Sequence, residues 1–146
     1  MLFSDVFDAL ARKYGFSEAH SAAGGDVTLL FDGLHAVTFQ CDADDKSVLF
    51  LAEICDLTDM RGDRAERLLE ASLLGAQTGG AAFALSRQLG KVVLWKRHDD
   101  CFADKNALEQ AINTFLAAVI TWKGRLASDS AGGADKQDAH AWQMRV

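Results

Sequence analysis

Proline is absent from the 146 residues. The chain therefore lacks one means of stiffening loops and of blocking the edges of a sheet. Cysteine is scarce: Cys41, Cys55 and Cys101 are odd in number, widely spaced and form no CxxC pair. That spacing argues against a disulfide framework and favours reduced thiols that pack as small hydrophobes in a cytosolic protein. Basic residues are outnumbered, 15 against 21 acidic, for a net charge of −6 and a pI of about 5.1. Proteins that bind nucleic acid usually carry a basic face, so no nucleic-acid partner is expected. No apolar run approaches the ~18 residues that suggest a membrane span, so no membrane insertion is expected. The N-terminal stretch MLFSDVFDALARKYGF has acids inside it and no basic region before an apolar block, unlike a signal peptide.

What is present is an ordinary globular composition, 49% hydrophobic and 25% charged, in a length suited to one domain with a real core. An N-terminal helix is expected from Ser4 to about Tyr14, with Leu2, Phe3, Val6, Phe7, Leu10 and Ala11 on one stripe. Residues 17–26 read as a loop. Residues 27–31 and 34–41 read as a hairpin about Asp32-Gly33. A two-residue turn there would group Val27, Leu29, Phe31, Leu34, Ala36 and Thr38 on one face. Thr28, Leu30, His35, Val37, Phe39 and Cys41 would take the other. Residues 48–55 make a third strand, broken only by Glu53. Both sheet faces are then rich in large apolar side chains and need cover, which points to a second subunit or a partner peptide.

Asp63 with Glu66 resembles a capping box opening a central helix. Its stripe runs through Ala65, Leu68, Leu69, Ser72 and Leu73, with Leu74 and Ala76 beside it, to a stop at Gly79-Gly80. Residues 81–85 and 91–95 form a second hairpin about SRQLG. Asn106 with Glu109 opens a C-terminal helix to about Leu126, and residues 127–146 read as a mobile tail. The fold class is α+β, an antiparallel sheet with helices in the order α-β-β-β-α-β-β-α. One domain is expected over residues 1–126.

No residue pattern identifies a catalyst. His20, His35, His98 and His140 form no HxH or HExxH, and no metal site is expected. Asp42, Asp44 and Glu53 brush against a calcium-loop spacing, but Lys46 and Ser47 spoil it. GAQTGG (75–80) lacks the GK[ST] ending of a phosphate loop and follows a helix instead of joining a strand to one. One alternative is a small ligand-binding or enzymatic α+β domain with a pocket on the apolar sheet face and His35 or Glu53 as its polar group.

The block LLEASLL-GAQTGGAAFAL-SRQLGKVVLWKR, with the element order, size and acidity, resembles the class I type III secretion chaperones, the CesT/SycE-like family. Leu68-Leu69-Glu70-Ala71, Leu73-Leu74 and Val92-Val93-Leu94 carry the match, with Ser72 where the family often has Asn. The resemblance covers about residues 1–126. It implies a bacterial, cytoplasmic, non-enzymatic homodimer without cofactors. Such a dimer binds the N-terminal segment of a secreted effector in extended form, keeping it soluble and competent for secretion, a virulence function. It implies dimer contacts at Leu69, Leu73, Leu74, Phe83, Leu85 and Trp95. Effector contacts are implied at Phe3, Val6, Phe7, Leu10, Leu30, Val37, Phe39, Phe50 and Leu51.

Overall fold

Among the described residues six strands form one antiparallel sheet in the order β1-β2-β3-β4-β6-β5. In this computed structural model residues 12, 19–22, 26–32, 34–42, 46–99 and 104–132 are described. The strands are β1 (Ala19–Ala22), β2 (Asp26–Phe31), β3 (His35–Asp42), β4 (Ser47–Asp56), β5 (Ala82–Ser86) and β6 (Lys91–His98). Helix α1 (Arg64–Ala71) connects β4 to β5, and helix α2 (Lys105–Gly132) follows β6. Of the N-terminal helix expected from Ser4 only Arg12, which is helical, is described; Phe3, Val6, Phe7 and Leu10 lie outside the described residues.

Alternation decides which face is core. Val27, Leu29 and Phe31 of β2 are buried, as are Val37 and Phe39 of β3, Val48, Phe50, Ala52 and Ile54 of β4, and Val92 and Leu94 of β6. Helix α2 contributes Leu108, Ile112, Phe115, Val119 and Trp122 to the same core. Aromatic edges interlock there: Phe50 meets Phe39 at 5.2 Å and Phe115 at 5.5 Å between ring centroids, both edge-on. Edge-to-face contacts of this kind add to the burial energy of the rings.

Five expectations are corrected. Phe31 pairs with His35, so three residues separate the partners, not two. This one-residue difference moves all of β3 to the opposite face from the grouping expected above. Val37 and Phe39 therefore join Val27 and Leu29 in the core, and Ala36 and Thr38 face away. The stretch expected as a loop at 17–26 contains β1, whose residues Ala19–Ala22 pair with β2. AHSA has no apolar alternation to announce a strand, so backbone pairing along the β2 edge, not side-chain pattern, defines it.

The central helix stops at Ala71, well before Gly79. Leu73–Gly75 makes a 3-10 turn in which Leu74 takes φ 54°, a left-handed conformation that interrupts the helix. The capping boxes are also absent. Asp63 precedes α1 without a side-chain capping bond, and Asp104 caps α2, its Oδ1 accepting from the Asn106 amide at 2.9 Å. Finally, α2 continues six residues past Leu126, to Gly132. Leu126 is buried whereas Ala127 and Ser128 are exposed, and the helical backbone runs on past them.

Candidate functional site

Helix α1 buries one edge of its stripe and exposes the other. Leu68 and Ala71 are buried, while Leu69 and Leu73 face outward and Leu74 is 94% exposed. The helix is tied to the sheet through Ser72. Its Oγ donates to the Leu68 carbonyl at 2.8 Å and accepts from the Phe83 amide of β5 at 2.9 Å. The hydroxyl thus adds a second donor to the Leu68 carbonyl, which already accepts from the Ser72 amide, and ties the end of α1 to β5.

The GAQTGG segment is held from three sides. Thr78 is fully buried and its Oγ1 donates to the Ala81 carbonyl. The Trp122 indole of α2 donates to the Gln77 carbonyl at 3.1 Å, and Lys96 Nζ donates to the Gly79 carbonyl at 3.2 Å. Three of the segment's polar groups are thereby used internally, which is a joint rather than a phosphate cradle. The calcium reading fails on register: Asp42 pairs with Ser47, so Glu53 lies deep in β4 and away from that turn. Among the described residues no group of three or more His, Cys, Asp or Glu side chains could hold a metal ion.

Of the residues assigned to dimer contacts, Leu69, Leu73, Leu74, Leu85 and Trp95 are exposed, and Phe83 is half-buried against Trp122, ring centroids 5.2 Å apart. They lie on α1, the 3-10 turn, β5 and β6. They do not share one flat patch: Trp95 pairs with Ala82 whereas Leu85 pairs with Val92, so the two side chains leave opposite faces of the hairpin.

Of the residues assigned to effector contacts, Val37, Phe39 and Phe50 are corrected: all are 0–1% exposed and belong to the core. Leu30 and Leu51 are half-buried on the opposite face. Phe3, Val6, Phe7 and Leu10 lie outside the described residues. His35 and Glu53, the polar candidates of the pocket alternative, face opposite sides of the sheet and cannot converge on one ligand. His35 Nδ1 is buried without a hydrogen-bond partner among the described residues.

That opposite face bears an open groove of about 850 Å³. Thr38, Leu51, Glu53 and Val93 line it from the strands, Leu34 and Leu89 from the two hairpin turns, and Lys123, Leu126 and Ala127 from α2. Leu34 and Leu89 were not anticipated. Each sits in a turn with its side chain largely exposed, and only the turn geometry reveals that both border one groove. Partial burial lowers the Lys123 pKa, with Glu53 opposing that shift. Partial burial raises the Cys55 thiol, with Asp59 adding to the effect. Lys91 is raised by its hydrogen bond to Asp56.

Among the described residues helix α2 packs on one face of the sheet and large apolar side chains stand on open surfaces, an arrangement suited to contact with other chains. Residues 7–123 match the model of the Tir chaperone protein (CesT) family, and the chain belongs to that family. The fold is similar to that in the structure of the HopA1-SchA chaperone-effector complex. The identity is 15% and the TM-score 0.67, over 84% of this chain and 94% of the other. The ExsC-ExsE complex gives 20% identity and a TM-score of 0.67, over 84% and 91%. The type III secretion chaperone SycH of Yersinia pestis, solved with a fragment of YscM2, gives 15% and 0.60 over 82% and 98%. None of the curated proteins matches the sequence.

Proposed function

We propose that the protein is a type III secretion chaperone that binds the N-terminal segment of a secreted effector and keeps it soluble for export. It acts without catalysis, as a homodimer, in the bacterial cytoplasm. The observation that carries this reading is the set of outward leucines Leu69, Leu73 and Leu74 at the end of α1, in a chain of the CesT family. A lone chain gains nothing by exposing them, whereas each such side chain contributes roughly 1.5–3 kcal/mol when fully buried. A second copy on this surface would leave the rest of the sheet and the N-terminal stripe of Phe3, Val6, Phe7 and Leu10 for the effector. Two solved proteins of this fold are a chaperone-effector complex and a secretion chaperone with a bound fragment, which supports an effector as partner. The chaperone domain spans about residues 1–126, with the last residues of α2 running on beyond it to Gly132.

An effector segment that is unfolded when free must offset its ordering cost through a large contact area. The net charge of −6 favours basic segments and keeps the free protein soluble. Among the described residues no helix is long and apolar enough to cross a membrane. The deciding experiment is co-expression with the N-terminal segment of a candidate effector, followed by light scattering of the purified species. A complex of two chaperone chains with one effector segment is expected. A monomer at micromolar concentration that leaves the segment insoluble would overturn the reading.

A further inference from the structure

We infer that Trp122 and Lys96, which stand outside the outward-leucine surface, are positioning residues for it: through the carbonyls of Gln77 and Gly79 they set the direction in which Leu73 and Leu74 leave the chain. The inference rests on the dimer proposed above. The two leucines lie in the 3-10 turn beyond α1, where Leu74 takes φ 54° and ψ 16°. For a residue with a Cβ that left-handed conformation is disfavoured roughly five- to thirtyfold. The turn by itself would leave this path, so contacts beyond the turn must hold it.

Those contacts fall on the segment that follows. The buried Trp122 indole donates to the Gln77 carbonyl at 3.1 Å, and its ring meets Phe83 of β5 edge-on. Lys96 of β6 donates Nζ to the Gly79 carbonyl at 3.2 Å and lies beside Gly80, where an added Cβ would come within 3.4 Å of the ammonium. Gly79 is pressed against α2: a Cβ there would lie 2.6 Å from Thr114 Cγ2. The Gly80 amide then returns to the Gly75 carbonyl, so a displacement at Gln77 or Gly79 reaches the residue next to Leu74.

Magnitudes fit this role. One hydrogen bond is worth roughly two- to tenfold in an equilibrium, so the two together are of the size needed to offset the left-handed Leu74. Loss of either lets other paths of residues 73–80 compete. The apparent dimer affinity then falls in proportion to the fraction of chains whose leucines remain in place. Trp122 is only 2% exposed, so its effect on association passes through its neighbours.

Trp122→Phe keeps an aromatic ring and removes the donor. Lys96→Met keeps the apolar stem and removes the donor, and Lys96→Arg restores one. In the full chain, dimer dissociation constants are read by light scattering over a dilution series. Increases of at least about fivefold are expected for Trp122→Phe and Lys96→Met, whereas Lys96→Arg should stay within about twofold of the parent. In a Leu73→Asp chain, monomeric on the dimer reading, the same two losses should speed amide hydrogen exchange of residues 73–80 at least about fivefold more than that of β4. Should Trp122→Phe not fold, the two Lys96 variants decide alone. A dimeric parent whose variants dissociate at the parent's constant would overturn the inference and leave the dimer reading standing. Equal acceleration in β4 would do the same, by marking both residues as general stabilisers. A monomeric parent would overturn the dimer reading, and the inference with it.

Discussion

Gly75 and Gly80 meet backbone to backbone. The Gly80 amide donates to the Gly75 carbonyl at 2.9 Å, and a Cβ on Gly75 would lie 2.5 Å from the Gly80 Cα. Backbone cannot move aside as a side-chain tip can. Gly75 also has φ +65°, where a Cβ costs about 1–2 kcal/mol before any contact. Gly62 has nearly the same φ, +63°, but open space around it. Gly62→Ala should therefore lose about 1 kcal/mol in urea unfolding, the backbone cost alone. Gly75→Ala should lose at least twice that. Equal losses would mean that the loop yields at no cost.

Ser72 spans α1 and β5 with one hydroxyl, so Ser72→Ala removes two hydrogen bonds and leaves the Phe83 amide without that acceptor. A loss of about 1–3 kcal/mol is expected by chemical denaturation. Ser72→Asn, which keeps a short side chain able both to donate and to accept, should retain most of the stability. An alanine variant as stable as the parent would show that water replaces the hydroxyl.

Leu74 combines near-complete exposure with a left-handed backbone. Such strain persists where its surroundings or its use require it. Leu74→Gly relaxes the backbone and removes the side chain. In a lone chain it should raise stability by about 1 kcal/mol. If the leucine is buried between two copies, the same variant, like Leu73→Asp, should weaken dimerisation by tenfold or more, read by light scattering over a dilution series. Unchanged association in both variants would place the dimer contact elsewhere.

Lys123 is held below its ordinary pKa by partial burial. Its charged form is therefore disfavoured in the folded chain, and the penalty is present at neutral pH. As pH rises through the lowered folded value towards 10.5, the folded lysine loses its proton first and the penalty disappears. Lys123→Met should be more stable than the parent at pH 7, and its advantage should shrink as pH approaches 10.5. A constant difference across that range would assign the effect to packing.

Much of the architecture is legible in the sequence because periodicity reports it directly. The alternation of β2, the β5–β6 hairpin about Gly90 and the stripe Leu108, Ile112, Phe115, Val119 and Trp122 are each patterns of burial. What escaped is set by backbone alone. One extra residue between Phe31 and His35 inverted a strand and sent Phe39 and Val37 into the core. AHSA pairs along β2 without any apolar pattern. Leu74 turned left-handed inside a run that reads as perfect helix. The surface was legible in part: Leu69, Leu73 and Leu74 share the helical stripe with buried Leu68, and only three-dimensional packing separates the inward leucine from the outward ones. The groove was not legible, because Leu34, Leu51, Leu89 and Leu126 are brought together by the fold from four distant segments.

Strands β4 and β6 are neighbours in the sheet, yet the whole of residues 57–90 lies between them. Their pairing must close that excursion against its chain entropy, and non-local pairings of this kind form slowly. The outward leucines of α1 ride on the excursion itself. On a nascent chain they are in solution before β6 has been made, so this apolar surface exists ahead of the sheet that will support it.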